Sequence, residues 1–558
     1  MTVMAETEYA EQGSRHRNAL GTRILGAGAY VIAGICLLPM VAVALAAVTG
    51  GTDTITHLFM TVMPDYIITT VLLVLMVSCG TFSLGVGAAW LVTMTRFPGV
   101  RMMEVALVLP LAFPAYVLAY AYTFVLDHPG IVQTTLRQVT GWGPRDYWFP
   151  EVRSTEGAAV MLILVLYPYV YLLARAAFLQ QSSTAFLAAR ALGSSPWSAF
   201  WRVSLPMARP AIAGGVLLAV METIADFGTV SYFGVQTFAT GIYTSWFSMG
   251  DRAAAAQLAL CLLSFALLLA VAERTQRGKA KYYQAGKRHA SMPASDLTGW
   301  SATLAFTLCS IPVVLGFALP VVILVQMGFE SEQNLLSRRY VEFIQNSLTL
   351  AGIAAVLTVC AAICVGFFQR LKPGRRSATA GYLARLGYAV PGGVIAVGLI
   401  VPFAAFDNAL DAWMRATFDY STGLLLTGSI WLLIGAYMVR FLAAALGAYE
   451  GGQSMVHANM DHAARSLGQT PFGTLRRVHL PILTPSLLTA LLIVFVDVMK
   501  ELPATLIMRP FNFDTLAVQA YRLASDERLE GAAVPSLVIL AIGLLPVILI
   551  CRQVGRDR

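Results

Sequence analysis

Glu222 and Asp226 interrupt one apolar stretch of the chain, and Asp497 and Glu501 interrupt another. Each pair is spaced i and i+4, which puts both carboxylates on one side of a continuous helix. An ionised side chain in lipid is costly, so such groups face a bundle interior, a wet cavity or a counter-charge. Two chemistries fit. One is an anionic stretch of pathway that favours a cationic solute, for which carboxylate and phenolate oxygens are hard ligands. The other is an internal hydrogen-bond network that holds a helix break near Gly228 and Pro503, with Lys500 neutralising one of the acids.

The elements that carry these acids are membrane helices. The chain has 558 residues, 57% hydrophobic and 12% charged, with a mean hydropathy of +0.69, where a soluble chain carries about 25% charge. Twelve stretches satisfy the requirement of about 20 apolar residues for a bilayer crossing. They cover 25–49, 66–93, 103–126, 157–180, 211–233 and 253–273, then 300–326, 345–369, 382–405, 424–447, 484–508 and 533–552. The expected class is therefore an all-α integral membrane protein of about twelve transmembrane helices in two six-helix halves. The division reads as a segment 1–24, a first membrane domain 25–273, a basic linker 274–299, a second membrane domain 300–552 and a tail 553–558. Glu222 falls roughly 18 Å beyond Pro210 along its helix, near mid-membrane.

Arg15, Arg17 and Arg23 precede the first apolar stretch, and Ala44-Leu45-Ala46 resembles a signal cleavage site. The stretch from Leu25 to Val48 outruns the 7–15 residues of a signal core, so a retained helix is expected. Lys and Arg stay on the cytoplasmic side, which puts both termini and the segment Arg274 to Arg288, with Lys279, Lys281 and Lys287, in the cytoplasm. The net charge of +8 then reports topology and calls for membrane lipid, not nucleic acid.

The seven cysteines, Cys36, Cys79, Cys261, Cys309, Cys360, Cys364 and Cys551, all lie in or beside apolar spans, without disulfide or zinc spacing. The i, i+4 pair Cys360 and Cys364 reads as packing. No stable metal site is expected, and the seven histidines form no metal-spaced pair. Tyr116, Tyr120, Tyr122, Tyr167, Tyr169 and Tyr171 read as interfacial anchors.

The chain matches itself at a shift of 275 residues. Leu187 to Pro206 aligns without a gap on His462 to Pro481, with ten of twenty positions identical. Ala188-Ala189, Gly193 and Leu205-Pro206 recur as Ala463-Ala464, Gly468 and Leu480-Pro481. Each copy reads as a short helix stopped by a left-handed glycine. A second helix then starts with Ser195 or Thr470 as N-cap and Pro196 or Pro471 at its first position. Glu222 matches Asp497 and Asp226 matches Glu501 at the same shift. A period of this length is a duplicated domain, and two equivalent docking elements call for a partner with two equivalent sockets.

These segments resemble the EAA motif of binding-protein-dependent ABC importers, whose pattern is Glu-Ala-Ala, Gly and Ile-x-Leu-Pro. The leading Glu is replaced by Leu187 and His462. The resemblance implies a type I ABC importer-like fold and ATPase-coupling contacts at about 184–198 and 459–473, through Ala188, Ala189, Gly193, Leu205, Pro206, Ala463, Ala464, Gly468, Leu480 and Pro481. The run Glu222 to Val230, Thr240 to Trp246, and Lys500 to Ala517 resemble fused permeases for ferric iron, and thiamine permeases share the fused layout. No Gly-x-x-x-x-Gly-Lys-Ser/Thr loop occurs. The chain is therefore expected to bind no cofactor and to be no enzyme, with ATP bound by two copies of a separate ATP-binding subunit. By resemblance, an extracytoplasmic substrate-binding protein delivers the solute across a bacterial inner membrane. A secondary transporter with two homologous halves remains an alternative of another class.

Overall fold

A computed structural model describes residues 2–181, 183–279, 295–331, 333 and 337–556. Eleven unbroken helices among them are long and apolar enough to cross a membrane, and one bent pair raises the total to twelve. The bent pair, Val100–Ala112 with Ala115–Thr140, turns by 92° where a straight third span over 103–126 is expected. The cause is Pro114, which pushes Phe113 into an extended conformation (ψ 135°), since a residue before proline disfavours the helical region. The ninth span is corrected for the same reason. Helix Arg375–Leu386 ends in a short 3₁₀ turn, Val390 before Pro391 is extended (ψ 119°), and the membrane helix starts at Gly392 rather than 382.

The fifth and eleventh spans also stop early. Leu205–Ala225 and Leu480–Met499 end before the expected 233 and 508, and the short helices Gly228–Tyr232 and Pro503–Met508 follow. The N-terminal helix begins at Thr2 and runs unbroken to Thr49. Most of the basic linker, including Lys281, Lys287 and Arg288, lies outside the described residues, as do the last two residues of the tail.

Packing groups the helices into two compact units that cut across the sequence halves: Met1–Gly51, Ala255–Leu263 and Glu342–Thr515 in one, Thr52–Ala254, Ser264–Val341 and Leu516–Arg558 in the other. In the first unit, Thr2–Thr49 lies along Arg375–Leu386 and Gly392–Phe418 of the second half. Gly398 leaves room for the Pro39 backbone to approach. In the second unit, Met63–Met94, Thr155–Gln180 and Leu205–Ala225 form a tight bundle. Val170 passes between two glycines: a Cβ on Gly85 would stand 2.7 Å from the Val170 Cβ, and one on Gly215 2.8 Å from its Cα. Small residues at such crossings let membrane helices gain dispersion contact where lipid offers no hydrophobic drive. Leu319–Glu330 and Leu529–Arg556 of the second half complete this unit, packing on each other and on Ala115–Leu126.

Candidate functional site: paired coupling loops and the acids behind them

The two repeats fold alike down to single hydrogen bonds. Helix Ser183–Ala191 is closed by Gly193 at φ +86°, with the Gly193 amide donating to Arg190 O (3.1 Å) and the Ser194 amide to Ala189 O (3.0 Å). Helix Ala458–Ser466 is closed by Gly468 at φ +74°, with the Gly468 amide donating to Arg465 O (3.0 Å) and the Gln469 amide to Ala464 O (3.0 Å). Both are Schellman turns, which satisfy the last helical carbonyls. The next helix is capped by Ser195 Oγ, accepting from the Ser198 amide (3.2 Å), or by Thr470 Oγ1, accepting from the Gly473 amide (3.1 Å).

A single widened π-turn follows in each copy, Phe200–Ser204 and Leu475–His479, immediately before Leu205-Pro206 and Leu480-Pro481. Proline has no N–H and its ring crowds the carbonyl four residues back; a wider turn absorbs the missing rung. The Leu-Pro landmark thus marks the joint between loop and membrane helix. Ala188 and Ala463 are exposed, whereas Ala189 and Ala464 turn inward. At the tips, Leu192 and Leu467 are 87% and 79% exposed, and Trp197 and Phe472, also 275 residues apart, are exposed aromatics.

What holds each loop in place is not evident from the motif. Trp90 receives the first loop, with ring centroids 4.2 Å from Phe200 and 6.3 Å from Phe186, and Gln181 Nε2 donates to Ser204 O (2.9 Å). The second loop is held by charge. Asp461 Oδ2 accepts from Arg370 Nε (2.7 Å), and Asp461 Oδ1 pairs with His479 Nε2 (2.6 Å). Arg370 also donates to the Val456 and Gln453 carbonyls. Burial alone would raise the Asp461 carboxyl, but the hydrogen bonds from His479 and Arg370 outweigh it and hold it below the usual range. The sequence signal was divergence within the repeat: Phe186 stands opposite Asp461, and Ser204 opposite His479.

The acids behind the loops do not share a helix face as the i, i+4 spacing predicts. Asp226 has left its helix (ψ 131°), and Glu501 follows the last helical residues at a break. Each carboxylate caps the short helix beyond it. Asp226 accepts from the Thr229 and Val230 amides (3.1 and 3.2 Å) and the Thr229 hydroxyl (3.0 Å). Glu501 accepts from the Ala504 and Thr505 amides (3.0 and 3.1 Å) and the Thr505 hydroxyl (2.7 Å). Orphan amides at a helix start attract a carboxylate strongly, so capping competes with helix continuation and wins. Glu222 is half-buried in the second unit, and Asp497 Oδ1 lies 2.9 Å from Lys500 Nζ in the first.

The tyrosines are a second correction. Tyr116, Tyr120, Tyr122, Tyr167 and Tyr171 are buried inside their unit and do not anchor an interface. Tyr120 stacks edge-on against Tyr232 at 4.7 Å and lies 5.7 Å from Tyr116. Among the described residues no group of three or more His, Cys, Asp or Glu could hold a metal ion.

Known proteins resemble this chain in sequence. Residues 81–277, which include the first repeated loop and Glu222 and Asp226, match the family described as the binding-protein-dependent transport system inner membrane component. The Fe(3+)-transport system permease protein FbpB 2 of Haemophilus influenzae is 28% identical over 92% of this chain and 95% of its own length. The ferric transport system permease protein FbpB of Actinobacillus pleuropneumoniae is 25% identical over 79% of this chain, which spans 64% of that relative. The apolar helices and these likenesses mark the chain as a multi-pass inner-membrane permease of the ABC importer kind, similar to the binding-protein-dependent transport components.

Proposed function

We propose that this permease imports ferric iron, delivered by an extracytoplasmic binding protein and driven by ATP hydrolysis on two copies of a separate ATP-binding subunit. The single observation that carries the coupling is the pair of matched loops, each with a left-handed glycine and an exposed leucine. Exposed apolar tips on a rigid turn suit insertion into a partner's cleft. Ala188, Ala189, Gly193, Leu205 and Pro206, with Ala463, Ala464, Gly468, Leu480 and Pro481, make up the coupling elements in this reading. The alanines and glycines shape the docking turn, and each Leu-Pro joint passes its displacement to the acid-bearing helix. ATP binds the partner and no cofactor binds this chain. Both termini and both loops face the cytoplasm.

The cargo assignment is supported by an iron permease that aligns with 92% of the chain, by a second that aligns with 79%, and by acids placed in apolar helices. In the cycle, closure of the ATPase pair draws the two loops together and opens the pathway outward, and hydrolysis resets it. The test is reconstitution of the chain with its ATPase and binding protein in liposomes, comparing uptake of ferric iron with that of thiamine. ATP-dependent ferric uptake without thiamine uptake is expected. Thiamine uptake alone would overturn the cargo, and transport without ATP would overturn the coupling as well.

A further inference from the structure

The two acid pairs are related by the repeat, yet their charges are balanced differently. In the second half, Asp497 Oδ1 is 2.9 Å from Lys500 Nζ and Glu501 Oε1 is 3.5 Å from Arg440 Nη1. Each acid there has its own cation. In the first half, Glu222 makes no hydrogen bond or ion pair among the described residues, and Asp226 is held by two amides and a hydroxyl, all neutral. Asp226 Oδ1 accepts one of those bonds and Oδ2 two, so Oδ1 retains acceptor capacity.

A second observation points to the same place. The Tyr120 side chain is fully buried, and its hydroxyl has no hydrogen-bond partner among the described residues. The short helix Gly228–Tyr232 that Asp226 caps packs on Ala115–Leu126, and there the Tyr120 ring lies 4.7 Å from that of Tyr232. A buried hydroxyl left without a partner calls for an explanation, an absent ion being one. All these residues belong to one compact unit.

We propose that Glu222, Asp226 and the Tyr120 hydroxyl form a transient, all-oxygen site for a hard, multiply charged cation, and that Asp497 and Glu501 are internally neutralised struts. Hard cations prefer oxygen ligands. A site with few protein ligands holds its ion weakly, as conduction requires. The inference deepens the cation-import reading and rests on it, since it names the half of the permease that attracts the cargo.

The experiment uses the full chain in nanodiscs, titrated with Tb3+ as the trivalent probe and read by emission sensitised through the tyrosines. Glu222→Gln is expected to weaken Tb3+ affinity about tenfold by removing one negative charge from the site. Tyr120→Phe should weaken it about threefold without lowering thermal stability, because the hydroxyl it removes has no partner to lose. Asp497→Asn combined with Lys500→Met should keep affinity within about twofold, the pair being neutral already. Equal losses in the two halves, or unchanged affinity in Glu222→Gln, would overturn the site. Ferric uptake by the complete transporter is read separately. Tb3+ binding that depends on Glu222, without ferric uptake, would reject the iron cargo and leave the cation site standing.

Discussion

The two repeated loops present the same exposed turn and are fastened by different forces. An aromatic cluster around Trp90 seats the first, and the Arg370, Asp461 and His479 network seats the second. The shared parts, the left-handed glycine, the N-cap and the Leu-Pro joint, are those a partner or the backbone itself requires. The parts that differ face inward. A duplicated element can therefore exchange apolar for ionic fastening while its outward geometry is retained.

A third contrast runs the same way. Arg175 and Glu450 occupy equivalent positions 275 residues apart with opposite charge, and each finds a partner on a preceding short helix, Glu104 or Arg385. The first pair is 5% exposed on both sides, the second 44% and 35%. Burial, not sign, should decide what each pair is worth. Arg175→Met is expected to cost about 3–5 kcal/mol by stranding a buried carboxylate, and Glu450→Gln about 0–1 kcal/mol, as measured by chemical unfolding in detergent. Equal costs would break the contrast.

Loop fastening comes next in size. Trp90→Ala removes a half-buried aromatic anchor and should cost about 3 kcal/mol, seen as faster hydrogen exchange in 183–199 with no change in 458–474. Asp461→Asn should do the reverse, costing about 2 kcal/mol through weakened charge-assisted hydrogen bonds. A mutation that loosened both loops equally would show that they are not separately fastened.

The shared turn should respond symmetrically. Gly193→Ala and Gly468→Ala meet no neighbouring atom within 4 Å, so their cost is that of left-handed backbone alone, about 1–2 kcal/mol each. Circular dichroism melting and binding of the ATPase should fall by similar amounts in the two variants. The smallest effect separates the loops by pH. The Asp461 carboxyl is held low in the folded protein, so its contribution is present above the ordinary carboxylate value of about 3.9 and is lost as pH falls through the lowered one. A nitroxide at Asn459 should therefore loosen further as pH falls below about 4, while one at Ala191 does not respond.

The membrane spans and the duplicated helix-turn-helix loops were legible because hydropathy and an ungapped repeat are local signals. The breaks at Phe113-Pro114 and Val390-Pro391 were hidden inside apolar runs, where hydropathy stays high across a proline. The i, i+4 reading of Asp226 and Glu501 failed because it assumes a helix that continues, whereas both carboxylates hold the amides of the turn that follows. Trp90 and Arg370 were not legible as anchors, being separated from their loops by long stretches of sequence. The tyrosines looked like anchors because composition records an aromatic and not the direction in which it faces.

Coupling through both loops is tested most directly at Leu192 and Leu467, whose exposed side chains can change without disturbing the core. ATP-driven ferric uptake should be measured in liposomes holding the complete transporter with Leu192→Asp, Leu467→Asp or both. Either single substitution is expected to reduce uptake at least about tenfold, the loss of a hot-spot contact, with the permease still inserted at normal levels. Undiminished uptake in the double variant would contradict coupling through these loops.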